Sequence, residues 1–166
     1  MVSITTLDND LARVMEPRTS APRRRLDAIR QLAEAGIPTG VMAAPMIPGL
    51  NDHEMPNIIA AAAEAGAVWA GMTPIRLALS IAGLFEQWLT DHFPDRKDKV
   101  LNRIRSMRGG KLNDPRFGNR MRGEGIWADQ LRAVFQLAKR QAGMIGGFPE
   151  LTCEHFRRPG QQMKLF

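Results

Sequence analysis

The chain has 166 residues, 44% of them apolar and 24% charged, which suits one soluble globular domain with a core to bury. Those proportions exclude a disordered tail and a collagen-like repeat, and the single cysteine, Cys153, excludes a disulfide scaffold. The net charge of +6 tilts the molecule toward anionic partners, nucleic acid first among them.

In chain order, Val2 to Thr6 reads as a short strand. Arg18 to Pro22 leads into a helix over Arg23 to Ala35, whose Leu26, Ile29, Leu32 and Ala33 fall on one stripe. Gly36 sits where a C-cap belongs and Pro38 follows it. Thr39 to Ala44 is a second strand ending at Pro45. After a turn at Pro48-Gly49, Asn51 or Asp52 is placed to cap an alanine-rich helix to Ala65, and Gly66 ends it. Ala67 to Met72 is the third strand. Strands alternating with helices over short connections predict an α/β fold with a parallel sheet and both helices on one side of it. Three parallel strands do not close a barrel, and a strand at residue 2 leaves an edge uncovered. The chain is therefore expected to begin in the middle of a larger α/β barrel.

The second half is helical. Ser80 is placed to cap a helix that turns Ile81, Leu84, Phe85, Trp88 and Leu89 to the core. Asp95 opens another, with Val100, Leu101, Ile104 and Met107 on one face and basic residues on the other. Gly109 to Gly125 is a glycine- and arginine-rich connection, and a last helix runs from about Ala128 to Ala142. Expected boundaries are a partial barrel over 1–78, a helical extension over 79–143 and an irregular tail over 144–166. No apolar run approaches the ~20 residues of a membrane helix. Asp8 and Asp10 are foreign to a signal peptide, so the reducing cytoplasm is the expected compartment and no membrane partner is expected.

On the first strand Ser3 and Thr5 share a face, and hydroxyls facing a barrel lumen suit a polar ligand. Threonine also favours strands for its β-branch alone. Glu16, Arg18 and the rigid loop Pro45 to Asp52 lie beyond the C-terminal ends of the strands, where parallel α/β folds bind ligands. Glu16 and Arg18 would equally make a local ion pair. His53, His92 and His155 have no zinc spacing and no triad, and read as surface residues. Arg108, Lys111, Arg116, Arg120 and Arg122, with Phe117 and Trp127 nearby, have the composition of a phosphate-tracking surface, or of a solvated loop docked through arginine–carboxylate pairs.

Val-Ser-Ile-Thr-Thr-Leu-Asp at 2–8, Glu-Pro-Arg at 16–18, Leu-Ala-Glu-Ala-Gly-Ile-Pro at 32–38 and Ala-Pro-Met-Ile-Pro-Gly-Leu-Asn-Asp at 44–52 occur in one order. Together with Arg-Gly-Gly at 108–110, Arg-Phe-Gly at 116–118 and Met-Arg-Gly-Glu-Gly at 121–125, they resemble the later half of radical S-adenosylmethionine (radical SAM) enzymes. The particular likeness is to the spore photoproduct lyase-like group, often labelled DNA repair photolyase. The resemblance implies a bacterial protein with strands four to six of a partial TIM-like barrel, followed by a helical region. It implies a 4Fe-4S cluster that reduces S-adenosylmethionine to a radical. It places Ser3 and Thr5 against the cofactor's ribose and carboxylate. Ala44, Pro45, Ile47 and Pro48 then lie along its adenosine, and Glu16 and Arg18 stand at the barrel mouth.

The family's CxxxCxxC motif is absent here, and Cys153 cannot replace three ligands. The chain alone is therefore expected to be inactive, with a half-barrel bearing the cluster as an expected partner. The alternative is a non-catalytic module binding DNA or RNA. Its tail, Gln162-Met163-Lys164-Leu165-Phe166, resembles bacterial sliding-clamp peptides, in which Gln162 would anchor the backbone while Leu165 and Phe166 fill a groove.

Overall fold

The computed structural model describes residues 1–147, Glu150, Thr152 and Cys153. Strand β1 (Val2–Ile4) is followed by helices α1 (Asn9–Met15) and α2 (Pro22–Glu34), then β2 (Gly40–Met46). A 3-10 turn (Asp52–Glu54) leads into α3 (Met55–Glu64) and β3 (Trp69–Pro74). Helices α4 (Ile81–His92), α5 (Pro94–Ser106), α6 (Asn119–Arg122) and α7 (Ile126–Gln141) follow. The strands form one parallel sheet in the order β1-β2-β3, with Val2 opposite Val41, Ile4 opposite Ala43 and Met42 opposite Gly71. The expected α/β alternation is the observed one.

Side-chain chemistry sets where these elements stop. β1 ends at Ile4, short of the expected Thr6, because the next two threonines bond elsewhere. Thr5 Oγ1 donates to the Ala44 carbonyl at 3.0 Å and Thr6 Oγ1 donates to Glu54 Oε1 at 2.6 Å. Asp8 then caps α1, its carboxylate accepting from the Asp10 and Leu11 amides. The sequence reading passed over this helix, which buries only Leu11 and so has almost no apolar period. α2 begins at Pro22, where a missing N–H costs nothing, and Gly36 beyond its end takes the left-handed φ of 73° expected of a C-cap.

The sheet has two unlike faces. Ile4, Val41 and Ala43 are fully buried against Ile29 of α2, Ile58, Ile59 and Ala62 of α3, and Leu131, Phe135 and Ala138 of α7. Burial at about 25 cal/mol per Å² of apolar surface makes this cluster the main source of stability. On the opposite face Ser3, Met42, Gly71 and Thr73 remain partly or largely exposed. Trp69 lies there across Gly40, and a Cβ at position 40 would overlap its indole ring, which is why a glycine opens β2.

A second cluster forms beyond the C-terminal ends of the strands. It joins Leu11, Ile47, Leu50, Ile75 and Leu77 to Leu89 of α4 and to Val100, Leu101 and Ile104 of α5. The stretch expected as a single helical extension over 79–143 is thus shared between the clusters, α7 with the sheet and α4 and α5 with the strand-end loops. Two expectations about α4 are corrected. Ser80 has helical φ and ψ and makes no capping bond. Of the expected inward face of α4 only Leu89 is buried, while Ile81 and Leu84 are 51% and 70% exposed. No helix among the described residues is long and apolar enough to cross a membrane.

Asn51 is also corrected. It flanks the 3-10 turn without capping it and is fully buried. Its Oδ1 accepts from the Ile47 amide at 2.6 Å, and its Nδ2 donates to the carbonyls of Thr5 at 2.8 Å and Pro45 at 3.0 Å. One carboxamide therefore pins the end of β1 to the loop after β2. Asn51→Ala leaves one donor and two acceptors without this partner and is expected to cost on the order of 3 kcal/mol in denaturant unfolding. Asn51→Asp is expected to be no better, since a carboxylate cannot donate to two carbonyls.

Candidate functional site

A cavity of about 750 Å³ opens at the C-terminal ends of β2 and β3. Ala44 and Pro45 of β2 and Thr73 and Pro74 of β3 form its sheet side. Ile81, Leu84, Phe85 and Trp88 of α4 form the opposite wall, and among the described residues Arg76 is the one ionisable side chain in the lining. Strand ends converge here because the helices occupy one face of the sheet and the connections rise above it, as in other parallel α/β folds.

The expected cofactor residues separate on this map. Ala44 and Pro45 line the cavity. Ile47 is fully buried in the second cluster, and Pro48 is buried beside a smaller cavity shared with Arg103 and Trp127. Ser3 is exposed on the open face of the sheet. Thr5 is buried with its hydroxyl on the Ala44 carbonyl. Glu16 pairs with Arg25 at 2.9 Å, and the same guanidinium donates to the Ser3 carbonyl at 3.0 Å. That cation gathers Ser3 and Glu16 at the end of β1, while Arg18 stays exposed. Thr73 and Arg76 fall beyond the expected end of the third strand at Met72, and Phe85 and Trp88 fall on the face of α4 expected to meet the core. The rule that strand ends carry sites would have found Thr73 and Arg76 once β3 extended to Pro74.

The basic loop is largely committed to internal bonds. Arg108 is buried, and its guanidinium donates to the carbonyls of Ile75 at 2.8 Å, Asn119 at 2.9 Å and Arg120 at 3.0 Å. Burial lowers its pKa, the Asp114 carboxylate opposes this, and the nearby Arg76 charge adds to it. Arg116 binds Asp114 at 2.7 Å and Glu124 at 2.9 Å, bonds that raise its pKa. Arg120 lies 5.3 Å from the Phe117 ring, which is 91% exposed. Lys111 and Arg122 are exposed. Gln162, Leu165 and Phe166 lie outside the described residues, as does His155. His53 and His92 are exposed, in keeping with the surface reading.

Residues 1–62, from β1 into α3, match the family model of the radical SAM superfamily. The match supports membership of that superfamily. An uncharacterized protein of Mycobacterium tuberculosis (strain ATCC 25618 / H37Rv) is 30% identical over 124 residues, 73% of this chain and 35% of that protein. An uncharacterized protein of Acidianus two-tailed virus is 43% identical over 47 residues, 28% of this chain and 16% of that protein. The chain thus spans about a third or less of the length of these relatives. No solved structure matches.

The superfamily implies S-adenosylmethionine and a 4Fe-4S cluster. The cluster does not fit this chain: Cys153, the single cysteine, is exposed, and no group of three metal-ligating side chains occurs among the described residues. The cavity beside Ala44 and Pro45 does offer an apolar shelf for an adenosine ring.

Asp114 gives the loop a pH signature. Hydrogen bonds from the side chain and amide of Arg116 lower its pKa from 3.8 to about 2. A carboxylate depressed on folding stabilises the native state above its unfolded pKa, and the contribution fades as pH falls through the folded value. The gap in thermal stability between wild type and Asp114→Asn is expected to be full above about pH 5 and to close between pH 3.8 and about 2. Melting both proteins across that range checks it.

Proposed function

We propose that this chain forms the later part of a radical SAM iron–sulfur enzyme of the spore photoproduct lyase-like group. Its strands would serve as strands four to six of a partial TIM-like barrel. The observation that carries the reading is the coincidence of the superfamily match with the open-faced sheet. The matched segment includes β1 and β2, and β2 ends at the large cavity. In this reading Ala44 and Pro45 pack on the adenosine of S-adenosylmethionine, and the exposed face around Ser3 turns to the cofactor. The cluster, which supplies the electron for radical formation, would be held by a separate CxxxCxxC-bearing half-barrel. The chain alone would be catalytically silent, and a nucleic acid lesion is the substrate suggested by the subgroup.

Two measurements test this. After iron and sulfide reconstitution the purified chain is expected to show no thiolate–iron band near ~400 nm, and such a band would overturn its silence. Saturation-transfer NMR with S-adenosylmethionine is expected to light the adenosine protons. Ala44→Phe is expected to abolish the transfer; no transfer to wild type, or equal transfer to both, defeats the cofactor assignment.

A second reading, a nucleic-acid-binding module, is favoured by the exposed Phe117 with Arg120 beside it and by the free surface of Lys111 and Arg122. It predicts DNA affinity that falls steeply with salt, and a slope reduced by about 2 in Lys111→Ala/Arg122→Ala. A slope unchanged by the double substitution removes this surface from the reading.

A further inference from the structure

The wall of the large cavity opposite β2 carries its own chemistry. Arg76 follows β3 directly and is exposed. Among the described residues its side chain has one hydrogen-bond acceptor, the Met121 thioether at 3.4 Å, and no ion-pair partner. A guanidinium offers five N–H donors and a thioether is a weak acceptor, so most of its capacity is unused. Among the described residues no carboxylate lines the cavity. The other surfaces are apolar. Phe85 and Trp88 stack with ring centroids 5.7 Å apart and planes at 18°. Trp88 gives its indole N–H to the Val14 carbonyl at 3.1 Å, leaving carbon surface for the cavity. Ile81 and Leu84 stay exposed beside them.

We propose that this cavity binds an amphipathic anion, a planar or apolar body with one acidic group, whose anion Arg76 holds while Phe85, Trp88 and Leu84 cover the body. The charge balance selects the sign, because among the described residues the one fixed charge in the lining is positive. The α4 wall selects the body: Ile81, Leu84, Phe85 and Trp88 present apolar surface to it. A volume of about 750 Å³ lies in the range of small-molecule sites. Binding stands on this geometry alone. It does not depend on the radical SAM reading.

The probes are anilinonaphthalene sulfonate, an aromatic body with one anion, and its uncharged counterpart phenylnaphthylamine, both followed by fluorescence on the full chain. Wild type is expected to prefer the sulfonate. Arg76→Met, at an exposed position, is expected to weaken the sulfonate about tenfold, the loss of one charge-assisted pair, and to leave the neutral probe within about twofold. Leu84→Glu, also exposed, is expected to weaken the sulfonate more than the neutral probe by adding a like charge. Far-UV circular dichroism confirms that both variants fold. Failure of wild type to bind the sulfonate overturns the proposal. So does equal weakening of both probes in Arg76→Met, or no weakening of either, the result expected if the groove takes an apolar segment of a partner protein. Adenosine transfer to wild type is read separately: its absence with the sulfonate preference intact defeats the cofactor reading, and the reverse pattern defeats the anion site.

Discussion

The strand ends depend on one buried carboxamide. Asn51 bonds to both the end of β1 and the loop after β2, with donor and acceptor together. The groups it satisfies are backbone groups at Thr5, Pro45 and Ile47, and Thr5, Ile47 and Asn51 itself are buried. Glu54, three residues further on, repeats the device by accepting from Thr6 Oγ1 and from the Leu7 amide at 2.8 Å. These two side chains stop β1 early and fix the direction in which the chain leaves it. The position of Ala44 and Pro45 at the cavity follows from that anchoring.

The one-sided sheet supplies the second constraint. With α2, α3 and α7 on one face, the helix-facing residues can be uniformly apolar, while the other face is left with Ser3, Met42, Gly71 and Thr73. A parallel sheet is ordinarily covered on both faces. Here one face is left half-covered, with hydroxyls and a glycine on its open side, and its first two strands lie in the segment that matches the radical SAM superfamily. The same asymmetry explains α4. Its Leu89 packs down on the strand-end cluster while Ile81, Leu84 and Phe85 face the cavity, so an amphipathic pattern that would mean core elsewhere here lines a site.

The strand–helix alternation was legible because Gly36 and Gly66 punctuate it and because the apolar runs at β2 and β3 have no other use. The parallel pairing followed from the short helical crossovers. What escaped was decided by tertiary bonds. Asn51 carries the same local signal as a helix cap, and only the proximity of Thr5, 46 residues earlier, turns it inward. α1 has a capping aspartate but one buried residue, too little period to detect. Arg76 lay beyond the apparent end of its strand, and nothing in the local pattern separates it from the other arginines.

Those arginines divide by what surrounds them, which composition alone cannot reveal. Arg108 is a buried cation whose bonds go to three carbonyls, so its charge is neutralised by dipoles and by the more distant Asp114, and it fastens the end of β3 to α6. Arg116 is spent on Asp114 and Glu124. A loop built this way is a clasp over the strand ends, held by guanidinium groups because one planar fork can reach several carbonyls at once. With the clasp consuming those two charges, the cation facing the cavity is Arg76. The net charge of +6 is therefore a poor measure of what the molecule presents to a polyanion. The charge that matters at the strand ends is one exposed guanidinium beside an apolar wall, and its sign and isolation define the chemistry of the ligand it can hold.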